Sequence, residues 1–332
     1  MVGVIKYKNG LYRSSLGPKL QAFIEAKHNA NSPYSSDYFT LHQFDLFVAE
    51  FFPNATTISK EMIEKWLEIN SKFHINGQRR KFTPINQFCI FLNKQGIDCY
   101  QINSPFCGKG LKYQPHIFTD KEKVALFKSI DEYSEKLINS PIKQLIFPTI
   151  FRLIYCCGLR NSEARNLKCE DVNLEAGKLI IRGSKAHKER IVMLHSDIQQ
   201  LLIEYEKRVD ILRSNRGYFF PNELIFDRPI SSNSITNAFH RSWDHLVEAK
   251  QANAPKARIH DLRHAAALDI IRNWVSVGKN LNALYPYLSS YLGHVSYTET
   301  DYYVHLSTDF YSDIESKMQG VNDYLYGDDD DE

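Results

Sequence analysis

Apolar residues recur at helical spacing along most of the chain. From Ser35 to Phe52, Phe44, Phe47, Val48 and Phe51 fall on one face, and Pro53 ends the pattern. Ile58 to Ile69 predicts a second helix with Met62, Ile63, Trp66 and Ile69 inward. A third is expected after a turn at Asn76 and Gly77, with a stripe of Phe82, Ile85, Cys89 and Leu92 that ends before Gly96. The segment QINSPFCGKGLKYQPH, Gln101 to His116, holds prolines and glycines and little periodicity, which predicts a linker. A new helix opens at TDKE from Thr119, which fits a capping box, with Val124, Leu126, Phe127 and Ile130 apolar. The run LIFPTIFRLIYCCGL, Leu145 to Leu159, predicts a buried helix ending at Cys157. Interrupted by Pro148 and Arg152, it is too short for a membrane span.

GLRNSEARNLKCEDV then reads as a turn leading into a short helix. KLIIR (Lys178 to Arg182) and RIVML (Arg190 to Leu194) read as two strands joined by GSKAHKE, a basic hairpin tip. Helices are expected again from Ser196, around Ser234 to Ala249, and over His260 to Trp274. The expected fold is mainly α with a small antiparallel β-sheet. A helical domain spans 1–108 with its linker at about 101–116, a mixed α/β domain spans 117–327, and an acidic tail occupies 328–332.

A chain of 332 residues with 43% hydrophobic and 13% aromatic residues can supply a sizeable core. The amino terminus has no continuous apolar stretch of the signal-peptide kind, and no membrane partner is expected. The expected location is the cytoplasm, with nucleoid association if the source is prokaryotic. Six cysteines form no CxxC pair, and Cys156 and Cys157 sit in an apolar run, so reduced structural thiols are expected. The net charge of +2 hides an asymmetry: the terminal DDDDE carries five negative charges, leaving +7 on the rest. A modest basic excess permits nucleic-acid binding without establishing it. Arg79, Arg80 and Lys81 are placed in the first turn of the third helix, where the macrodipole disfavours cations. A solvated face and a DNA phosphate contact are both open there.

HDLRH at 260–264 sets His260, Arg263 and His264 within one helical turn. That spacing suits a metal site, a phosphate site or a pair of core histidines. Arg263 beside a cation weakens the metal reading, and the glutamate of a metalloprotease helix is replaced by the shorter Asp261. His187 and Arg190 share the HxxR spacing of His260 and Arg263, so that spacing alone distinguishes nothing. More specific is the ordered series GLRNSE, GSKAHKER, HDLRH, YLGH and TETDYYVH.

With those five motifs in order from about Ile117 to Leu306, the sequence resembles the tyrosine recombinase (phage integrase) family, including transposon-encoded and Xer-type integrases. The resemblance implies a helical core-binding domain followed by a tyrosine recombinase catalytic domain, with catalytic residues Arg160, Lys185, His260, Arg263, His294 and Tyr303. Lys188 competes with Lys185, because the hairpin tip is one residue longer than the compact GKGxKER form. Lys188 otherwise joins Arg79, Arg80 and Lys81 as a candidate DNA contact. Tyr302 precedes Tyr303 directly, and the family's nine-residue spacing from His294 selects Tyr303.

In such an enzyme two arginines hold the non-bridging oxygens of a phosphodiester and a lysine protonates the departing 5′ oxygen. His260 bonds the phosphate and assists proton transfer, His294 donates to another oxygen, and Tyr303 forms a covalent 3′-phosphotyrosyl link. Glu163 resembles the family's supporting acid that orients an arginine or histidine, with an ordinary helical charge pair as the alternative. His264 is expected to be a structural neighbour. No metal or other cofactor is implied. The implied partners are double-stranded DNA recombination sites, three further protomers in a homo- or heterotetramer, and accessory directionality proteins. Two other readings stay open: type IB topoisomerase-like relaxation, and a catalytically silent DNA-binding protein of the same fold. The interval between Arg263 and His294 is longer than in compact family members, and a terminal helix with Phe310, Ile314, Met318, Val321 and Leu325 inward is expected.

Overall fold

A computed structural model of the protein describes residues 12–30, 35–101, 113–182, 189–225, 227–246 and 257–293. The chain divides between Tyr113 and Gln114 into two compact units. The mainly helical fold with one small antiparallel sheet is the one expected.

The first unit is built from four described helices: α1 (Gly17–Asn29), α2 (Ser35–Phe51), α3 (Lys60–Ile69) and α4 (Ile75–Lys94). Its core gathers Leu20, Phe23, Leu41, Phe44, Ile63 and Phe88, all essentially sealed from solvent. Asp45 is also fully buried, and it accepts hydrogen bonds from the backbone of Arg13 and Ser14 and from the Ser14 hydroxyl. That satisfies a carboxylate which burial would otherwise penalise.

Three expectations change here. Helix α1 was not foreseen. Phe51 and Ile69, placed inward by spacing, are exposed, because the core-facing stripe of α2 runs through Leu41, Phe44 and Val48 and leaves Phe51 at the rim under the Lys65 ammonium. Asn76 and Gly77 are no turn: α4 begins at Ile75 with His74 as its N-cap, so Arg79, Arg80 and Lys81 lie beyond the first turn.

The second unit contains α5 (Asp120–Glu135), α6 (Pro141–Cys156), α7 (Asn161–Arg165), α8 (Ser196–Leu212), α9 (Ser232–Asp244), α10 (Ile259–Ser276) and α11 (Leu281–Leu292). Helix α5 opens on the capping box expected at TDKE: the Thr119 hydroxyl accepts from the Glu122 amide, and the Glu122 carboxylate accepts from the Thr119 amide. Val124, expected inward, is 71% exposed, and buried Lys123 takes an inward place by bonding Asp269 and Asp120. Helix α6 is the centre of the unit, packed by α5, α8 and α10 and burying Ile146, Ile150, Phe151 and Ile154. Of its two terminal cysteines only Cys157 is buried; Cys156 is exposed, a correction to the buried pair suggested by the apolar run. All five described cysteines are free thiols.

The sheet has order β1 (Val172–Asn173), β2 (Lys178–Ile181) and β3 (Arg190–Met193), antiparallel throughout. Ile181 pairs with Arg190 and Leu179 with Val192, so these four share one face, and the apolar members Leu179, Ile181 and Val192 are buried. β1 and α11 were not foreseen. The expected terminal helix and the acidic tail lie outside the described residues. No described helix is long and apolar enough to cross a membrane.

Candidate active site

The site forms where three helix ends meet. Helix α6 stops at Cys157, and Gly158 turns the chain with φ +59° into the extended Arg160, the N-cap of α7. Helix α11 stops at Leu292, and Gly293 caps it in the left-handed conformation with φ +66°. Such an end leaves carbonyls without helical partners and concentrates negative partial charge. Three consecutive carbonyls there each accept from a different arginine: Tyr291 from Arg190 Nε at 2.8 Å, Leu292 from Arg263 Nη2 at 2.5 Å, and Gly293 from Arg160 Nη2 at 3.0 Å. The YLG of the YLGH motif is therefore the hub on which guanidinium groups from three elements converge. Arg263 also donates to the Gly158 carbonyl at 2.7 Å, tying the end of α6 to α10.

Glu163 lies beneath them. Its carboxylate accepts from the Arg160 amide and from Arg160 Nη1, both at 2.9 Å. A parallel pair of bonds comes from Arg190 at 2.9 and 2.8 Å, and Arg263 Nη1 stands 3.8 Å away. Burial alone would raise this carboxyl's pKa. The hydrogen bonds and charge of Arg190, followed by the bonds from Arg160, overcome that and hold it at about 2. Three guanidinium groups around one carboxylate leave a net charge of +2, which suits an anionic ligand.

His260 stands in the first turn of α10, exposed on its outer side yet closely surrounded by protein within. That packing, and after it the cations of Arg263, Arg160 and Arg258, push its pKa down to about 4. Its ring is therefore neutral near pH 7 and can accept as well as donate a proton. His264 is buried one turn later and meets His260 edge to face, with ring centroids 4.7 Å apart. Among the described residues no three His, Cys, Asp or Glu side chains gather as metal ligands.

Arg160, Glu163, His260 and Arg263, a hundred residues apart in sequence, thus share one region. Arg160 keeps 18% of its side chain open, whereas Arg263 is 1% exposed. Lys185, Lys188, His294 and Tyr303 lie outside the described residues, as does Tyr302. In the first unit Arg80 is exposed and Arg79 half-buried, while Lys81 bends inward to bond Gln43 and lies near the rings of Phe39 and Phe73. Sequence reasoning missed Arg190, although the signal was present: strand alternation in RIVML puts it on the same face as Val192, an unusual place for an arginine without a partner.

Residues 119–309, more than half of the chain, match the phage integrase family. Tyrosine recombinase XerC of Halalkalibacterium halodurans is 24% identical over 302 residues, covering 88% of this chain and 92% of that protein. Tyrosine recombinase XerA of Pyrococcus horikoshii is 26% identical over 277 residues, covering 81% and 91%. Among solved structures, the Tn1549 transposon integrase in complex with transposon right end DNA aligns with a TM-score of 0.58. That match covers 91% of this chain and 99% of that one at 12% identity, a likeness of fold.

Proposed function

Since the chain belongs to the phage integrase family and is a tyrosine site-specific recombinase, we propose that Arg160 and Arg263 hold the DNA phosphate that Tyr303 attacks. The observation that carries this reading is the gathering of Arg160, His260 and Arg263 around one buried carboxylate, at positions a hundred residues apart. A phosphodiester under attack by a phenol accumulates negative charge on its non-bridging oxygens, and paired guanidinium donors stabilise that charge.

The Tyr303 oxygen forms a bond to phosphorus while the bond from phosphorus to the 5′ oxygen breaks. The neutral His260 ring assists removal of the phenolic proton, and Lys185 supplies a proton to the departing 5′ oxygen. The 3′-phosphotyrosyl link conserves the phosphoester bond energy, and attack by a 5′ hydroxyl of the partner strand reverses the step. His294 donates to a second non-bridging oxygen. Arg79, Arg80 and Lys188 contact the DNA backbone, whereas Lys81, turned inward onto Gln43, does not. Four protomers, in a homo- or heterotetramer, assemble on two sites, with accessory proteins setting direction, in the service of a mobile element.

Relaxation by a type IB topoisomerase uses similar groups but exchanges no partners. Two duplexes with different labels, each carrying the protein's site recovered from a random-sequence pool, separate the two. Recombinant joints containing both labels are expected. Relaxation of supercoiled DNA without any joints would reject the proposal.

A further inference from the structure

Arg190 is a charged side chain set on the core-facing side of a strand. It opens β3 opposite Ile181, on the face that buries Leu179 and Val192, and only 9% of its side chain is exposed. A guanidinium in such a place is costly unless its donors are satisfied. Here Nε bonds the Tyr291 carbonyl, and both Nη atoms bond the two oxygens of Glu163 in parallel. The fit extends to the backbone: a Cβ on Gly293 would lie 2.8 Å from Arg190 Nη1 and 3.1 Å from its Cζ. Gly293 therefore serves twice, by adopting the left-handed cap and by letting the guanidinium pass against the main chain.

We propose that Arg190 is the positioning residue of the phosphate clamp: locked across Glu163, it fixes the carboxylate that orients Arg160 and anchors the end of α11 from which His294 follows. The inference rests on the reading that Arg160 and Arg263 hold the phosphate. With both Nη atoms committed to Glu163, Arg190 does not compete for substrate. Its charge offsets that of Glu163, so the carboxylate orients Arg160 without cancelling the positive charge offered to the phosphate. Arg190 also begins the strand that leaves the hairpin segment containing Lys185, so the same side chain ties that strand to α7 and to the end of α11.

The test uses full-length protein and a duplex carrying the recovered site, nicked so that cleaved product is trapped. Arg190→Gln and Arg190→Lys are compared with wild type for thermal midpoint, DNA affinity, single-turnover formation of the covalent adduct, and the pH profile of that rate. Both variants are expected to bind DNA as wild type does. Arg190→Gln should slow adduct formation by about 100-fold, on the scale of losing a preorganised donor to the reacting phosphate. Arg190→Lys should recover part of that, since it restores charge without the planar fork. The groups facing Glu163 are Arg160 with its amide, Arg190, Arg263 and the nearby His260. Removing Arg190 should therefore move the acid limb of the profile to higher pH, an effect that a loss of packing alone would not produce.

A folded Arg190→Gln protein that forms adduct at the wild-type rate, with an unmoved acid limb, overturns the inference. If that variant does not fold, Arg190→Lys decides: a slowed adduct at an unchanged thermal midpoint supports it, and a wild-type rate refutes it. Failure of the underlying reading looks different. Wild type would then form no adduct, or Arg160→Ala would form it normally, and the clamp and the inference would fall together.

Discussion

Buried Glu163 accepts four hydrogen bonds, three from the guanidinium groups of Arg160 and Arg190 and one from the Arg160 amide, and both of its oxygens must accept for all four to form. Glu163→Gln turns one acceptor oxygen into an NH2 group facing guanidinium donors. It should destabilise the protein by about 3 kcal/mol, as breaking a buried pair does, and slow DNA cleavage. A thermal or denaturant midpoint equal to wild type would contradict this. Since this carboxyl is held at about 2 against an ordinary 4.5, its stabilising contribution persists above 4.5 and is lost as the pH falls through 2.

His260 behaves alike in sign. Held at about 4 against 6.5, it leaves the folded protein less able than the unfolded chain to take up a proton. Its contribution is therefore full above 6.5 and is lost as the pH falls toward 4. Replacing it by Asn should shift relative thermal stability in the variant's favour from about pH 7 to about pH 4.5. A constant difference between the two proteins would contradict a depressed pKa. At this scale Arg160, Glu163, His260 and Arg263 were legible because each lies in a compact motif in family order. Arg190 was not, because its HxxR spacing from His187 distinguishes nothing, whereas its meaning lies in strand alternation and in contacts to α7 and α11.

Helix ends, more than helix bodies, make the candidate site. The end of α11 works because Gly293 leaves its last carbonyls open to three arginines. Gly293→Ala adds strain at φ +66° and a clash with Arg190, so a loss of about 1 kcal/mol or more is expected, together with slower cleavage. An alanine variant as stable and active as wild type would contradict this account. The capping box of α5 supplies none of the bonds at these helix ends: Thr119→Ala should cost about 1 kcal/mol and leave DNA cleavage unchanged. A cleavage defect without a stability loss would contradict that assignment.

Long periodic helices such as α2, α6 and α8 were readable from sequence because their apolar stripes are continuous. Helix α11 was not, since Pro286 sits inside it and its Leu and Tyr residues surround more than one face. The outward places of Phe51, Ile69 and Val124 show the remaining limit: spacing identifies a helix face, but neighbouring elements decide how wide a stripe is covered.

Across the whole molecule, the described members of the proposed clamp all belong to the second unit, while the basic triplet belongs to the first. The units divide between Tyr113 and Gln114, within the proline- and glycine-bearing stretch from Gln101 to His116. Arg80 is the exposed member of the triplet. If it contacts a DNA phosphate, Arg80→Ala should weaken binding to all sequences alike and reduce the salt slope of log affinity by about 1. An unchanged slope would remove it from the interface.

The proposed chemistry is a covalent exchange of phosphodiester bonds through Tyr303. It is tested most directly by mixing wild type, Tyr303→Phe and Tyr302→Phe separately with a nicked duplex carrying the recovered site, then resolving protein–DNA adducts under denaturing conditions. Wild type and Tyr302→Phe should yield a protein linked to a 3′ DNA end, and Tyr303→Phe none. An adduct that persists in Tyr303→Phe would contradict the account.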